Sequence, residues 1–350
     1  MTMSGQTHLS DRKQQILKAV IELYVDSALP VGSGHVVREH VTGISSATVR
    51  NEMVELEQAG LLFQPHTSAG RVPSEQGFRY FVQQLMEERS LATKTQVAIR
   101  HQLNAAQLAR EEWLNVAATT LAQAAHAAGI VTAPLPTQCR IKHFELLAIQ
   151  ERVGLLVVVL QEGTVKQQVI ELPGETSQTA LSAACTRLNE AIRGLGRSEI
   201  EASAEPMSDL EGLIVARLTD LMDQIDQRQQ PEIRHAGLVE LLREPEFQQP
   251  AEAQRLVQVL DRPEHLLALL PAFPWPQGMH VLIGGEGAHT AILRDLSMVV
   301  AYYGVEEMTG GFVGVLGPLR LDYAEAIPAV RFVAGVMTDL LTDQLGAAVQ

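Results

Sequence analysis

Ser45-Ser46-Ala47-Thr48-Val49-Arg50-Asn51-Glu52-Met53, then Leu56-Glu57-Gln58-Ala59-Gly60-Leu61-Leu62, then Pro65-His66-Thr67-Ser68-Ala69-Gly70-Arg71: this stretch reads as a helix, a glycine stop, a strand and a tight loop carrying an arginine. At ~100° per residue, Val49, Met53 and Leu56 share one face of a helix over 45–59. Ala47, Arg50, Asn51 and Val54 lie opposite, short and polar toward the N-terminal end. Ser45 or Ser46 can cap this helix and leave backbone N–H groups aimed outward, a setting that suits phosphate oxygens. Arginine and asparagine are the side chains that read base edges, guanine and adenine respectively. Gly60 supplies the left-handed stop, and short strands fit 61–63 and the restart at Val72, on either side of a tip over 66–71.

The flanking segments complete the same unit. Ile16, Leu17, Val20, Leu23 and Tyr24 make an amphipathic first helix opened by Ser10 or Asp11. Leu29-Pro30-Val31-Gly32 is a turn, after which Ser33 caps a second helix over 34–40 that Gly43 ends. Ser74 caps a further helix with a stripe of Phe78, Phe81, Val82 and Leu85. Three helices and a β-wing within 1–89 predict a winged helix-turn-helix. Arg50 and Asn51 would read bases, with Ser45, Ser46, Ala47, Thr48, His66, Thr67, Ser68 and Arg71 completing the DNA contact. Taken alone, a helix with one polar face equally describes a solvated surface. Here the turn before it, the wing after it and the choice of Arg and Asn coincide. Arg71 could merely pair with Glu75, but at a wing tip beside Gly70 it is better placed for phosphate or the minor groove.

The run Ser45 to Met53, the Leu56 to Leu62 turn, and Pro65-His66-Thr67-Ser68-Ala69-Gly70-Arg71-Val72-Pro73 followed by Gly77-Phe78-Arg79-Tyr80 resemble the HrcA family. The similarity resumes in Leu293-Arg294-Asp295-Leu296-Ser297 and in Gly311-Phe312-Val313-Gly314-Val315-Leu316-Gly317-Pro318-Leu319-Arg320-Leu321-Asp322-Tyr323. It is dense in 9–86 and 279–341 and thin over 195–275. Leu321 stands where Met is expected before Asp-Tyr, and Gly287 where Asn is expected after Gly-Gly-Glu. The resemblance implies a heat-inducible repressor of chaperone operons with a GAF-like body and a dimerising insertion. It also implies the chaperonin GroEL as the partner that keeps the repressor in its DNA-binding form.

Composition bounds the rest. A chain of 350 residues, 46% hydrophobic, is long enough for two or three domains. The net charge of −14 is unlike a basic nucleic-acid binder. Residues 1–90 hold eight Lys/Arg against ten Asp/Glu, a net −2, so −12 falls elsewhere. So nearly neutral a head neutralises few phosphates, which favours a homodimer placing two heads on the halves of an inverted-repeat operator in double-stranded DNA. Cys139 and Cys185 have no metal-site spacing and read as small buried hydrophobes in a reducing compartment. Residues 2–11 are polar, and the longest strongly aliphatic run, 155–160, is far short of the ~20 residues a membrane span needs. A soluble cytoplasmic protein with no membrane partner is expected.

Beyond the head, 90–130 is rich in Ala, Gln and Leu and reads as one long helix, or one broken once, ended by Pro134 and Pro136. Strands are expected at 143–150, 154–161 and 165–172, a helix at 176–193, and strands again at 279–283, 296–303 and 311–316. Helical hairpins at 208–228, 234–243 and 252–270 lie between the strand blocks, and a last helix from Asp322 bends near Pro328. The fold class is therefore α+β. A winged helix-turn-helix over 1–89 precedes a helical linker over 90–133 and a GAF-like α/β body from 134–195 and 276–350. An inserted helical dimerisation subdomain spans 196–275.

No other motif carries chemistry. Gly284-Gly285-Glu286-Gly287 could cradle a phosphate, but it lacks the lysine and hydroxyl of a P-loop, and Glu286 would repel an anion. His143, His235, His265, His280 and His289 lack metal-ligand spacing, and no serine sits in a GxSxG turn. Trp275, in Pro271-Ala272-Phe273-Pro274-Trp275-Pro276, is either a hydrophobic plug or an exposed partner patch. No catalytic residue, cofactor or metal is expected. The competing reading is a winged-helix regulator whose GAF-like body senses a small molecule.

Overall fold

Ile16, Leu17, Ala19, Val20, Ile21 and Leu23 bury one face of the first helix, α1 (Asp11–Ser27). Val36 of α2 (Ser33–Glu39) and Val49, Met53 and Leu56 of α3 (Ser46–Gln58) are buried in the same apolar cluster. A two-stranded antiparallel ribbon follows, β1 (Leu62–Phe63) and β2 (Val72–Pro73), with Phe63 opposite Val72. Ser74 caps α4 (Glu75–Tyr80), accepting from the Gly77 amide, and a wider π-type turn continues it over Phe81–Leu85. The structure is a computed structural model that describes residues 9–40, 43–106, 110–136, 138–161, 163–202, 208–228, 231–269, 278–285, 295–305 and 308–348. Trp275, Glu286, Gly287, His289, Leu293 and Arg294 lie outside them.

The single helix expected over 90–130 is instead two helices and a strand: α5 (Thr93–Ala105), α6 (Arg110–Ala125) and β3 (Ala128–Thr132). All five residues of β3 are buried, because the strand lies inside a sheet. Then come β4 (Leu135–Pro136), β5 (Ile141–Gln150), β6 (Val153–Leu160), β7 (Val165–Glu171), α7 (Gln178–Ile192), α8 (Arg197–Ala202) and α9 (Asp209–Arg228). Next are β8 (Ile233–Ala236), α10 (Leu238–Leu241), α11 (Pro250–Asp261), α12 (Pro263–Leu269), β9 (Met279–Ile283), β10 (Leu296–Val305), β11 (Thr309–Pro318) and α13 (Tyr323–Ala348). A hairpin helix was expected at 234–243, yet 233–236 pairs with β3 as an edge strand.

The chain divides into two compact units: Met1–Ala133 with Glu232–Gly304 and Gly311–Gln350, and Pro134–Pro231 with Val305–Gly310. The segment interrupting the first unit thus runs from 134 to 231, whereas the insertion was expected at 196–275. The physical reason is strand pairing. The early strands form their own sheet, β5-β6-β7, while 233–236 joins the late strands in the order β8-β3-β11-β10-β9.

In the first unit the sheet is apolar on both faces, as a sheet covered by helices on each side should be. Val299, Ala301 and Tyr303 of β10 join one cluster with α5, α6, α13 and the N-terminal helices, while Leu296, Met298 and Val300 join another with α10, α11 and α12. The first ninety residues are not a separate bead. Phe78 packs at a tilt between Tyr24 (6.3 Å) and Tyr323 (6.2 Å), and Arg320 donates to the Val25 carbonyl (3.1 Å) and to Glu246 (2.6 Å). In the second unit, α7, α8 and α9 cover one face of the β5-β6-β7 sheet. Its other face leaves Leu147, Ile149, Val165 and Val169 exposed. Cys139 and Cys185 are both buried and unpaired with each other.

Candidate nucleic-acid interface

The start of α3 is built from hydroxyls. Ser45 is the N-cap and accepts from the Thr48 amide at 3.1 Å, while its hydroxyl lies 2.9 Å from that of Thr48. Ser33, expected as a cap, is the first residue of α2; the cap is Gly32, and the Ser33 hydroxyl meets that of Ser46 at 2.9 Å. This contact ties the N-termini of α2 and α3 together. From that base Ser45, Ser46, Ala47, Arg50 and Asn51 are exposed, and Thr48 is half-buried. Among the described residues Arg50 forms no ion pair. Gly60 ends the helix with φ +77°, a conformation in which a side chain would be strained.

The β1-β2 ribbon is held in two ways. Gln64 donates to the Thr67 carbonyl (3.0 Å) and the Ala69 carbonyl (2.8 Å), closing the tip. Val31 and Arg71 exchange both backbone hydrogen bonds (2.8 and 2.9 Å), so the turn before α2 adds a single antiparallel bridge to the ribbon. Gly70 makes this approach possible, since a Cβ there would lie 2.4 Å from the Val31 carbonyl. His66, Thr67 and Ser68 stand exposed at the tip. Between α3 and the wing runs a groove of about 430 Å³, lined by Ser33, Arg50, Gln64, Thr67, Ser68 and Arg71 among others.

Arg71 does not face outward. Its Nη2 sits 2.9 Å from Glu57 Oε2 on the last turn of α3, and only 15% of its side chain is exposed. Glu75, the partner considered for it in the sequence, reaches instead to the Gly285 amide (3.4 Å). Sequence reasoning missed Glu57, Gln64 and the Ser33–Ser46 contact. Only Glu57 left a trace, as an acid in the last turn of a helix, where the helix dipole disfavours one.

His143 is 3.4 Å from Glu145, His265 Nδ1 lies 3.2 Å from the Gln258 carbonyl, and burial lowers the pKa of His235. Among the described residues no cluster of His, Cys, Asp or Glu could hold a metal, and no helix is long and apolar enough to cross a membrane.

A model of the HrcA protein C-terminal domain matches residues 111–327. A protein of Herpetosiphon aurantiacus is 40% identical over 346 residues, covering 97% of each chain, and one of Thermomicrobium roseum is 40% identical with the same coverage. Both are described as heat-inducible transcription repressor HrcA. The chain belongs to the HrcA family. The family model leaves out residues 1–110 and 328–350, whereas these two relatives each match 97% of the chain. A solved structure described as a hypothetical protein shares the fold, with a TM-score of 0.60, 22% identity and coverage of 96% of this chain and 99% of that one. As an HrcA-family member, this chain is a transcription repressor tied to heat-shock regulation.

Proposed function

We propose that this HrcA-family chain binds an inverted-repeat operator in double-stranded DNA as a homodimer, through a winged helix-turn-helix formed by α1 to β2, and represses the attached chaperone operons in the cytoplasm until heat releases them. The observation that carries this reading is the exposed Arg50-Asn51 pair on α3 beside a polar groove bounded by the wing. Those two would meet base edges. Ser45, Ser46, Ala47, Thr48, His66, Thr67 and Ser68 surround them and suit the phosphates on either side, whereas Arg71, expected to join that set, is turned onto Glu57. In a gel-shift series the full-length chain should retard a duplex carrying an inverted repeat and release it when one half-site is scrambled. Equal retention of the scrambled duplex would defeat the reading.

The second copy would dock on the outward face of the β5-β6-β7 sheet. Three rows there run Leu147-Leu155-Val169, Glu145-Val157-Gln167 and His143-Val159-Val165, and Val169 is 61% exposed. Exposed aliphatic side chains gathered on one sheet face, among a few polar ones, are costly in water and support a contact surface there. The remaining body we read as GAF-like. A small-molecule sensor finds little support there, because Trp113, Leu114, Ala118 and Leu121 of α6 fill one side of the sheet and α10 to α12 fill the other.

The lever in this reading is the supply of correctly folded dimer. A chaperonin such as GroEL that returns misfolded chain to the native state raises the active fraction by mass action, and heat diverts the chaperonin to other clients. Stoichiometric operator titration should show a larger active fraction after chaperonin and ATP are added, with the affinity of active dimer unchanged. An unchanged fraction would remove the chaperonin from the scheme.

A further inference from the structure

We infer that Arg71 acts as a positioning residue, clamping the wing to the end of α3 through Glu57, and that it touches no phosphate. The inference rests on the DNA-binding reading of the same head. An arginine that grips phosphate without first breaking an ion pair presents its guanidinium to solvent before DNA arrives. Here the guanidinium is turned inward onto Glu57, 2.9 Å away, with one-third of the Glu57 side chain exposed. The Arg71 backbone is fixed by Val31 on both its N–H and its C=O, so the side chain cannot swing out by a shift of the strand. Its Nε is buried without a partner, so that part of the guanidinium has left solvent.

Glu57 supplies the independent half of the argument. It lies in the last turn of α3, which carries no basic residue, so its charge opposes the helix dipole. Alone it would weaken the helix; opposite Arg71 it fixes the angle between α3 and the wing. That angle sets whether Arg50 and the tip residues can reach one duplex together. The clamp also explains how a head of net −2 divides its cations. Arg12, Lys13, Lys18 and Arg71 pair with Glu52, Glu55, Glu87 and Glu57, while among the described residues Arg38 and Arg50 stay unpaired.

The test uses the full-length chain, its Arg71→Met, Glu57→Gln and Arg71→Glu/Glu57→Arg variants, and an inverted-repeat duplex enriched from a random pool by the parent. Affinity is measured across a KCl series. A lost phosphate contact lowers the slope of log Kobs against log salt by ~0.9, whereas a lost clamp weakens binding at unchanged slope. We expect Arg71→Met and Glu57→Gln each to bind about tenfold more weakly with the parental slope, and the charge exchange to recover part of the loss. A flattened slope for Arg71→Met, with Glu57→Gln binding as the parent does, overturns the clamp. Amide hydrogen exchange reads it without DNA: both single variants should exchange faster over 62–72 and unchanged over 49–56. Should the parent enrich no duplex, the DNA reading fails, and parental exchange rates in the single variants would then overturn the clamp as well.

Discussion

Arg50 bears the most specific expectation at the scale of single residues. It is exposed on α3, two residues past the Thr48 whose amide closes the helix cap, and the preceding residue, Val49, anchors the helix in the core. Replacing Arg50 by Ala should cost about 1–3 kcal/mol of operator affinity and relax sequence preference, without lowering the thermal midpoint of the free protein. Parental affinity at matched salt would remove Arg50 from the groove. The residues of this face were legible because periodicity alone separates Val49, Met53 and Leu56 from Arg50 and Asn51. Arg71 shows where such reading stops. The sequence placed it at a wing tip but could not show that its side chain folds back on Glu57, fourteen residues earlier, because no local pattern joins the two.

Elements were legible where one face is buried and lost where both are. The helix of 46–58 and the strand of 279–283 emerge within a residue or so of expectation, each bounded by glycine, serine or a change of period. By contrast Ala128-Gly129-Ile130-Val131-Thr132 follows an alanine-rich helix and is buried on both sides, so it carries no alternation to mark a strand. Ile233-Arg234-His235-Ala236 is polar because it lies at an edge, and only its pairing with β3 makes it a strand. The start of α13 yields a prediction at this scale. Tyr323 is wholly buried against Phe78, its hydroxyl donates to the Leu319 carbonyl at 2.9 Å, and burial raises its pKa well above the ordinary value near 10. Above pH 10 the unfolded chain loses this proton while the native state keeps it, so stability must fall as pH rises, by about 1.4 kcal/mol per pH unit from this group. Tyr323→Phe should be about 1 kcal/mol less stable at pH 8 yet show a shallower alkaline decline, read from urea unfolding between pH 9 and 11. Parallel declines in the two chains would show that the phenol ionises without unfolding the junction.

Whole-molecule organisation was the least legible level, since it depends on which strands pair across more than a hundred residues. The expected α+β class and strand blocks are present, but the early block, 141–171, builds its own sheet, and α5 and α6, within the linker expected over 90–133, pack into the core beside α13. One consequence is that a 1–90 fragment would strip Tyr323 from Phe78, which is buried in the intact chain, so truncation is a poor way to ask whether a lone head binds DNA. A surface substitution asks it better. Val169 is 61% exposed, opposite Leu155 on the outward face of β5-β6-β7, where a lysine keeps the same backbone pairing. Val169→Lys should therefore leave the folded protomer intact, because the ammonium reaches water, and should penalise only a second copy seated on that face, where a buried unpaired charge is strongly unfavourable. Sedimentation should show the parent as a dimer and the variant as a monomer at micromolar concentration, with unchanged circular dichroism. Operator affinity should drop in step, because each head carries few free cations and needs its twin on the other half-site. A variant that stayed dimeric and bound normally would move the interface off this sheet. A monomer with undiminished affinity would show instead that one head suffices.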